Sequence, residues 1–243
     1  MTSNDKILRM FQMQEKLNSE TNGPDWKEGV SSNGKPINWR RAIWLEAAEA
    51  VESYPWKHWK DINASVDREN VKVETVDIWH FGMSEVLANM KDNSPEEIVS
   101  ALDSMGTFIV DGDIEKDNYT ENERQMRAFE SMAEEAFSSR SEYSLVNTFF
   151  ELCDSVDLSV DELYSMYMSK NMLNSLRQEL GYQEGTYQKE WIYEEISPMP
   201  LEDNKIILHM FRENEGKPLD EIKKLYTERY TQAEEQNSPT IKP

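Results

Sequence analysis

Four carboxylates stand where a core-facing helix should be apolar, and they constrain the fold more than any other feature of this chain. They come as two doublets, Glu46-Ala-Ala-Glu49 and Glu74-Thr-Val-Asp77. Three-residue spacing puts the members of each doublet about one turn apart on one helix face. The first doublet lies in AIWLEAAEAV (42–51), where Glu46 and Glu49 are the only charges and share a stripe with Ala42, Ile43 and Ala50. The second lies in VKVETVDIWHFGM (71–83), beside Val73, Ile78 and Phe81. Spacing alone carries little, because 47 acids among 243 residues supply about nine such pairs by chance. The apolar setting is the informative part: carboxylates are rarely buried unless paired or metal-bound. The nearby cations, Arg40, Arg41 and Lys72, are too few to neutralise all four acids. Two such helices packed face to face gather four hard oxygen ligands, the donor set that suits Mg²⁺ carrying nucleotide phosphates. Exposed faces or internal salt bridges are the alternative reading of the same residues.

Helical periodicity dominates the rest of the chain, and no β-alternating series or fixed-period repeat interrupts it. Ser3 or Asn4 can cap a first helix running to about Glu20, with Ile7, Leu8, Phe11 and Leu17 as its apolar stripe. Asn22-Gly23-Pro24 ends it, and Asp25 to Pro36 reads as a loop with a small hairpin. Asn38 caps the helix of the first doublet, which stops before Pro55; a connector from Trp56 to about Arg68 leads to the helix of the second, which ends near Lys91. Ser94-Pro95-Glu96-Glu97 is a helix start. Gly112 to Thr120 is a polar loop, followed by helices over about 122–138, 143–156 and 159–180, the last stopped by Gly181. Residues 181–191 form a loop, weaker helices cover about 203–214 and 219–235, and 236–243 is a disordered tail. The expected fold is all-α, a single catalytic domain over residues 1–235. Its core is a helical bundle of two antiparallel carboxylate-bearing helix pairs, with peripheral helices around it.

Composition narrows the partners. The formal charge is −21, so non-specific binding to nucleic acid or anionic membranes is excluded for want of a basic surface. One cysteine, Cys153, rules out an internal disulfide framework, suits a reducing cytosol and is most simply a small buried hydrophobe. The start MTSNDKILRMF lacks the apolar stretch of a signal peptide, and no run approaches the length of a membrane span, so a cytoplasmic location is expected. The 13 methionines, Met10, Met13, Met166, Met168 and Met172 among them, suit adaptable helix-packing surfaces rather than a cofactor.

Several ordered blocks carry a resemblance. ExxE is followed after 24 intervening residues by ExxD. Before and after this pair stand Gln14-x-x-Leu17-Asn18-x-x-Thr21-Asn22-Gly23-x-x-Trp26, Trp56-Lys57-His58-Trp59-Lys60 and Asp77-Ile78-Trp79-His80-Phe81. Lys170-Asn171-x-x-Asn174-x-x-Arg177-Gln178-x-x-Gly181-Tyr182-x-x-Gly185-x-Tyr187-x-Lys189-x-Trp191 completes the series. Together these blocks resemble the dimeric dUTPases, within the all-α nucleoside triphosphate pyrophosphohydrolase superfamily that includes the MazG-like enzymes and the phage dCTPase-dUTPases. One departure is Leu180, where family members often have Asn before the glycine. Residues 94–139 and the extension after Trp191 carry no matching motif.

The resemblance implies a homodimeric enzyme that hydrolyses dUTP to dUMP and pyrophosphate, limiting uracil in DNA and feeding dTMP synthesis. It implies Glu46, Glu49, Glu74 and Asp77 as Mg²⁺ ligands; one carboxylate not saturated by metal takes the proton of the attacking water, and Glu49 is our choice among four acids that sequence does not rank. Lys170, Asn174 and Arg177 share a helix face suited to a row of polar contacts, with Asn171 beside them. Lys170 and Arg177 are expected on phosphate oxygens, Asn174 on the uracil amide edge, and Tyr187 and Lys189 on a flap that orders over phosphate. Gln14 and Asn18, one turn apart, are expected at the base edge, Trp59 stacked on the pyrimidine, Phe81 as a pocket wall and His80 beside it. Read without the resemblance, the amides and the basic face are solvated surface, Trp59 a hydrophobic plug and His80 a core histidine. A related pyrophosphohydrolase acting on dCTP or several pyrimidine nucleotides, and a non-catalytic acidic helical binding protein, are the competing functions.

Overall fold

The computed structural model describes residues 1–60, 64–108, 119–138 and 141–237. Nine α-helices form among them: α1 Ser3–Asn22, α2 Trp39–Glu52, α3 Arg68–Asn89, α4 Pro95–Ser104, α5 Glu121–Ser138, α6 Glu142–Ser155, α7 Val160–Glu179, α8 Asp203–Glu213 and α9 Leu219–Asn237. The all-α expectation holds. Two departures are local. Strand β1 (Glu190–Trp191) pairs antiparallel with β2 (Leu201–Glu202), in a stretch whose first part reads in sequence as loop. Helix α9 runs to Asn237, two residues into the expected tail. The polar loop expected at 112–120 lies outside the described residues except for Tyr119 and Thr120, as does the tail from 238 onward.

The chain divides into two compact units, Met1–Tyr167 and Met168–Pro243, with the boundary inside α7. In the first unit the helix starts follow capping chemistry. Thr2, rather than Ser3 or Asn4, caps α1 and forms a capping box with Asp5. Asn38 caps α2 by accepting from the Arg41 amide at 2.8 Å, and Ser94 caps α4 in a box with Glu97. Each such cap contributes about 1 kcal/mol. The expected hairpin between α1 and α2 is a single bridge, Val30 to Pro36, after a short 3₁₀ turn at Trp26–Glu28.

Helix α3 is the central element: it packs against α1, α2 and α6, and α2 packs in turn on α5. Buried residues ring it, from Val71 through Trp79 to Leu87, which is why its sequence shows no clean apolar stripe. Trp79 stacks on Phe149 at 4.5 Å and meets Phe11 and Phe150 edge-on. Being enclosed on most sides, α3 carries its polar residues Glu74, His80 and Ser84 into the interior, where each needs a partner.

The second unit is built on Leu173, Leu176, Trp191, Ile206, Met210, Tyr226 and Tyr230. Gly181 follows α7 with φ +93°, and a Cβ there would come within 2.1 Å of the Thr186 hydroxyl oxygen, so only glycine fits the reversal that sends the chain to β1.

Candidate active site

The α2–α3 packing brings Glu46, Glu74 and Asp77 together: one carboxylate oxygen from each lies within 4.8 Å of the other two. Glu74 is buried, and Glu46 and Asp77 are half-buried. Burial, then the charge of Asp77 and a hydrogen bond that the protonated Glu46 carboxyl donates to Glu74, push the Glu46 carboxyl up to about 9. Arg40 is ion-paired with Glu85 at 2.6 Å and donates to the Glu135 carbonyl, and Lys72 is paired with Glu162 at 2.8 Å. Three crowded hard oxygens fit a divalent cation, which would hold all three ionised at neutral pH. Among the described residues this is the one group of three or more acids, histidines or cysteines with such geometry. Glu49 stands one turn after Glu46 on α2, exposed and outside the 4.8 Å group, though its charge adds to the field at Glu46.

A second constellation lies in the same unit. Gln14 and Asn18 of α1 do not face solvent but are buried, 3% exposed each, against α3. The Gln14 amide nitrogen donates to Asn18 Oδ1 and to Ser84 Oγ, both at 3.1 Å. Asn18 Nδ2 donates to Ser84 Oγ at 2.9 Å, and Ser84 donates to the His80 carbonyl at 2.7 Å. Gln14 Oε1 faces His80 Nδ1 at 2.7 Å and the Tyr167 hydroxyl at 3.2 Å. His80 stacks on Tyr167 at 4.4 Å. Phe81 stacks on Trp39 at 6.1 Å. Trp59 is 62% exposed, edge-on to Trp56 and His58, with residues 61–63 beyond it outside the described chain.

In the second unit the expected face of α7 forms. Lys170 Nζ donates to Asn204 Oδ1 at 2.9 Å, and Arg177 reaches the same oxygen at 3.5 Å, so residues seven apart do share a face. Arg177 clamps Asp203 through two bonds of 2.8 Å and also contacts Asn174 Oδ1 at 3.4 Å. Asn171 is buried. Tyr187 donates to Asp203 at 2.9 Å, bonds Tyr226 at 2.8 Å and stacks on Tyr230, so its ring is fixed. Burial first, then Tyr226 and Asp203, raise its phenol far above the ordinary range and keep it neutral. Lys189 is exposed, its ammonium over the Tyr182 ring at 5.5 Å.

Sequence reasoning missed Ser84, Tyr167, Asp203 and Asn204. Ser84 gave one usable signal, a hydroxyl set four residues after His80 between Met83 and the apolar Val86-Leu87. Asp203 reads in sequence only as an acid favoured at a helix start, since its partners are 16 and 26 residues away.

A family model described as dUTPase matches residues 6–182. The chain is therefore an enzyme of the class that hydrolyses nucleoside triphosphates with release of pyrophosphate. More narrowly, it belongs to the all-α dUTPase family, whose activity is dUTP diphosphatase and whose members generally use a divalent metal. No individual curated protein matches the chain significantly. The match ends at Tyr182, so Asp203 and Asn204 lie beyond it. No helix among the described residues is long and apolar enough to cross a membrane.

Proposed function

We propose that the chain hydrolyses dUTP to dUMP and pyrophosphate with Mg²⁺ as its ion, limiting uracil in DNA and feeding dTMP synthesis from the cytoplasm. The supporting observation is the convergence of Glu46, Glu74 and Asp77 on one small space in a chain of the dUTPase family. Those three carboxylates, joined by Glu49, would hold the ion. When bound, Mg²⁺ neutralises charge on the phosphoryl oxygens and acidifies a bound water. The remaining work falls to the chain's own groups. Glu49, exposed and least crowded of the four, takes the proton from the attacking water. Lys170, Arg177 and Lys189 supply positive charge for the phosphates, with Asn171 and Tyr187 beside them and Asn174 on the uracil amide edge. Asn18 and Gln14 belong to the base-recognition side, with His80 and Phe81 behind them and Trp59 available to stack.

Pyrophosphate release from dUTP, dCTP, dTTP and UTP, and orthophosphate release from dUDP, in Mg²⁺ test the substrate. Preference for dUTP is expected, and a stronger rate with dCTP would overturn it. We further propose a homodimer, on the strength of the family; light scattering that gives a monomer at working concentration would contradict this.

A further inference from the structure

We infer that Ser84 and Gln14 are positioning residues that fix which hydrogen-bonding face Asn18 offers to the base, and so set discrimination between uracil and cytosine. The inference rests on the reading of Asn18 as a base contact. Its starting point is the single hydrogen of the Ser84 hydroxyl. That hydrogen goes to the His80 carbonyl one turn back, at 2.7 Å, the common back-bond of a mid-helix serine. Ser84 Oγ can then only accept. Two amides meet it, Gln14 Nε2 at 3.1 Å and Asn18 Nδ2 at 2.9 Å, and each must turn its nitrogen inward. A reversed amide would set a carbonyl oxygen against the hydroxyl's lone pairs.

Gln14 completes the lock. Its second N–H goes to Asn18 Oδ1 at 3.1 Å, so Asn18 is held from both ends of its amide. Gln14 Oε1 accepts from His80, whose ring proton therefore lies on Nδ1, and the one Tyr167 hydroxyl hydrogen is shared between Gln14 Oε1 at 3.2 Å and the Met10 carbonyl at 3.1 Å. Both N–H groups of Gln14 are thus spent inside the protein, and its oxygen holds the His80 ring, so the orientation of its amide is fixed. Asn18 keeps one N–H and one lone pair on Oδ1. Turning that amide over exchanges donor for acceptor at each position. Uracil and cytosine differ by the same exchange: uracil presents O4 as acceptor and N3–H as donor, cytosine an amine donor and N3 as acceptor. A locked Asn18 reads one base, whereas a free one reads both. Ser84 is fully buried and the two amides nearly so, which makes a mismatched pairing expensive.

The test compares kcat/KM for dUTP and dCTP in the full chain, in Ser84→Ala and in Ser84→Cys, with Tm of each. The expected result is a dUTP preference that falls by about tenfold or more in the variants. KM for dUTP should rise while kcat stays within about threefold, because the amides do not touch the reacting phosphorus. A preference unchanged within about twofold overturns the inference. So does an equal loss on both nucleotides, or failure of both variants to fold, since either makes Ser84 purely structural. A wild-type chain with no preference for dUTP would instead refute the underlying substrate reading, and it would do so before any substitution is made.

Discussion

Glu46 of α2 and Glu74 of α3 are hydrogen-bonded carboxyl to carboxyl across the helix pair, with Asp77 in the same group. Such a bond needs a proton on one partner, and crowding of this kind is what an ion-binding site must create to be selective for charge. Glu46 accordingly ionises near 9 in the folded, metal-free chain, against 4.5 for an ordinary glutamate. Between those values the folded state holds a proton that the unfolded state has lost, so rising pH favours unfolding. The stability contributed by this proton is complete below about pH 4.5 and disappears as pH climbs toward 9. In EDTA, Tm should fall from about pH 6 to pH 9, and Glu46→Gln should flatten the slope. Mg²⁺ should raise Tm most at the alkaline end, where no proton competes. Parallel Tm profiles for wild type and Glu46→Gln would contradict the assignment.

Glu49→Gln should lower kcat for dUTP by about a hundredfold or more while leaving Tm unchanged, because the residue is exposed and outside the crowded trio. Steady-state pyrophosphate release measures the first and thermal unfolding the second. Near-wild-type turnover would place the base elsewhere.

Asp203 accepts both arms of Arg177 and the Tyr187 hydroxyl, and it is almost wholly enclosed, its side chain 2% exposed against 13% for Arg177. Removing one partner of so enclosed a pair strands the other. Asp203→Ala should therefore destabilise the second unit by about 3 kcal/mol, read from urea unfolding. A change below about 0.5 kcal/mol would mean the pair is solvent-screened.

The helices were legible because their ends carry chemistry: Asn38, Ser94 and Gly181 each stop or start an element where the backbone needs them. The acidic trio was legible because Glu46, Glu74 and Asp77 interrupt apolar stripes. The β1–β2 pairing was not, since two-residue strands are too short to show a period and their register depends on the nine residues between Trp191 and Leu201. Nor was the burial of Gln14 and Asn18. On α1 they read as an exposed amide pair, and only the approach of Ser84, 66 residues past Asn18, gives them partners. The grip of Asp203 on Arg177 is hidden for the same reason: local sequence reports caps and stripes, while long-range polar pairing is decided by which helices meet.

The most direct test of the metal centre is pyrophosphate release from dUTP by the full chain, with Mg²⁺, with EDTA, and in Glu74→Gln. Glu74 is buried on α3 within reach of both other acids. Metal-dependent release of one pyrophosphate per dUMP is expected, abolished by EDTA, restored by added Mg²⁺ and reduced about a hundredfold or more in Glu74→Gln. Turnover that survives both EDTA and the Glu74 substitution would show that Glu46, Glu74 and Asp77 are not the metal site of this enzyme.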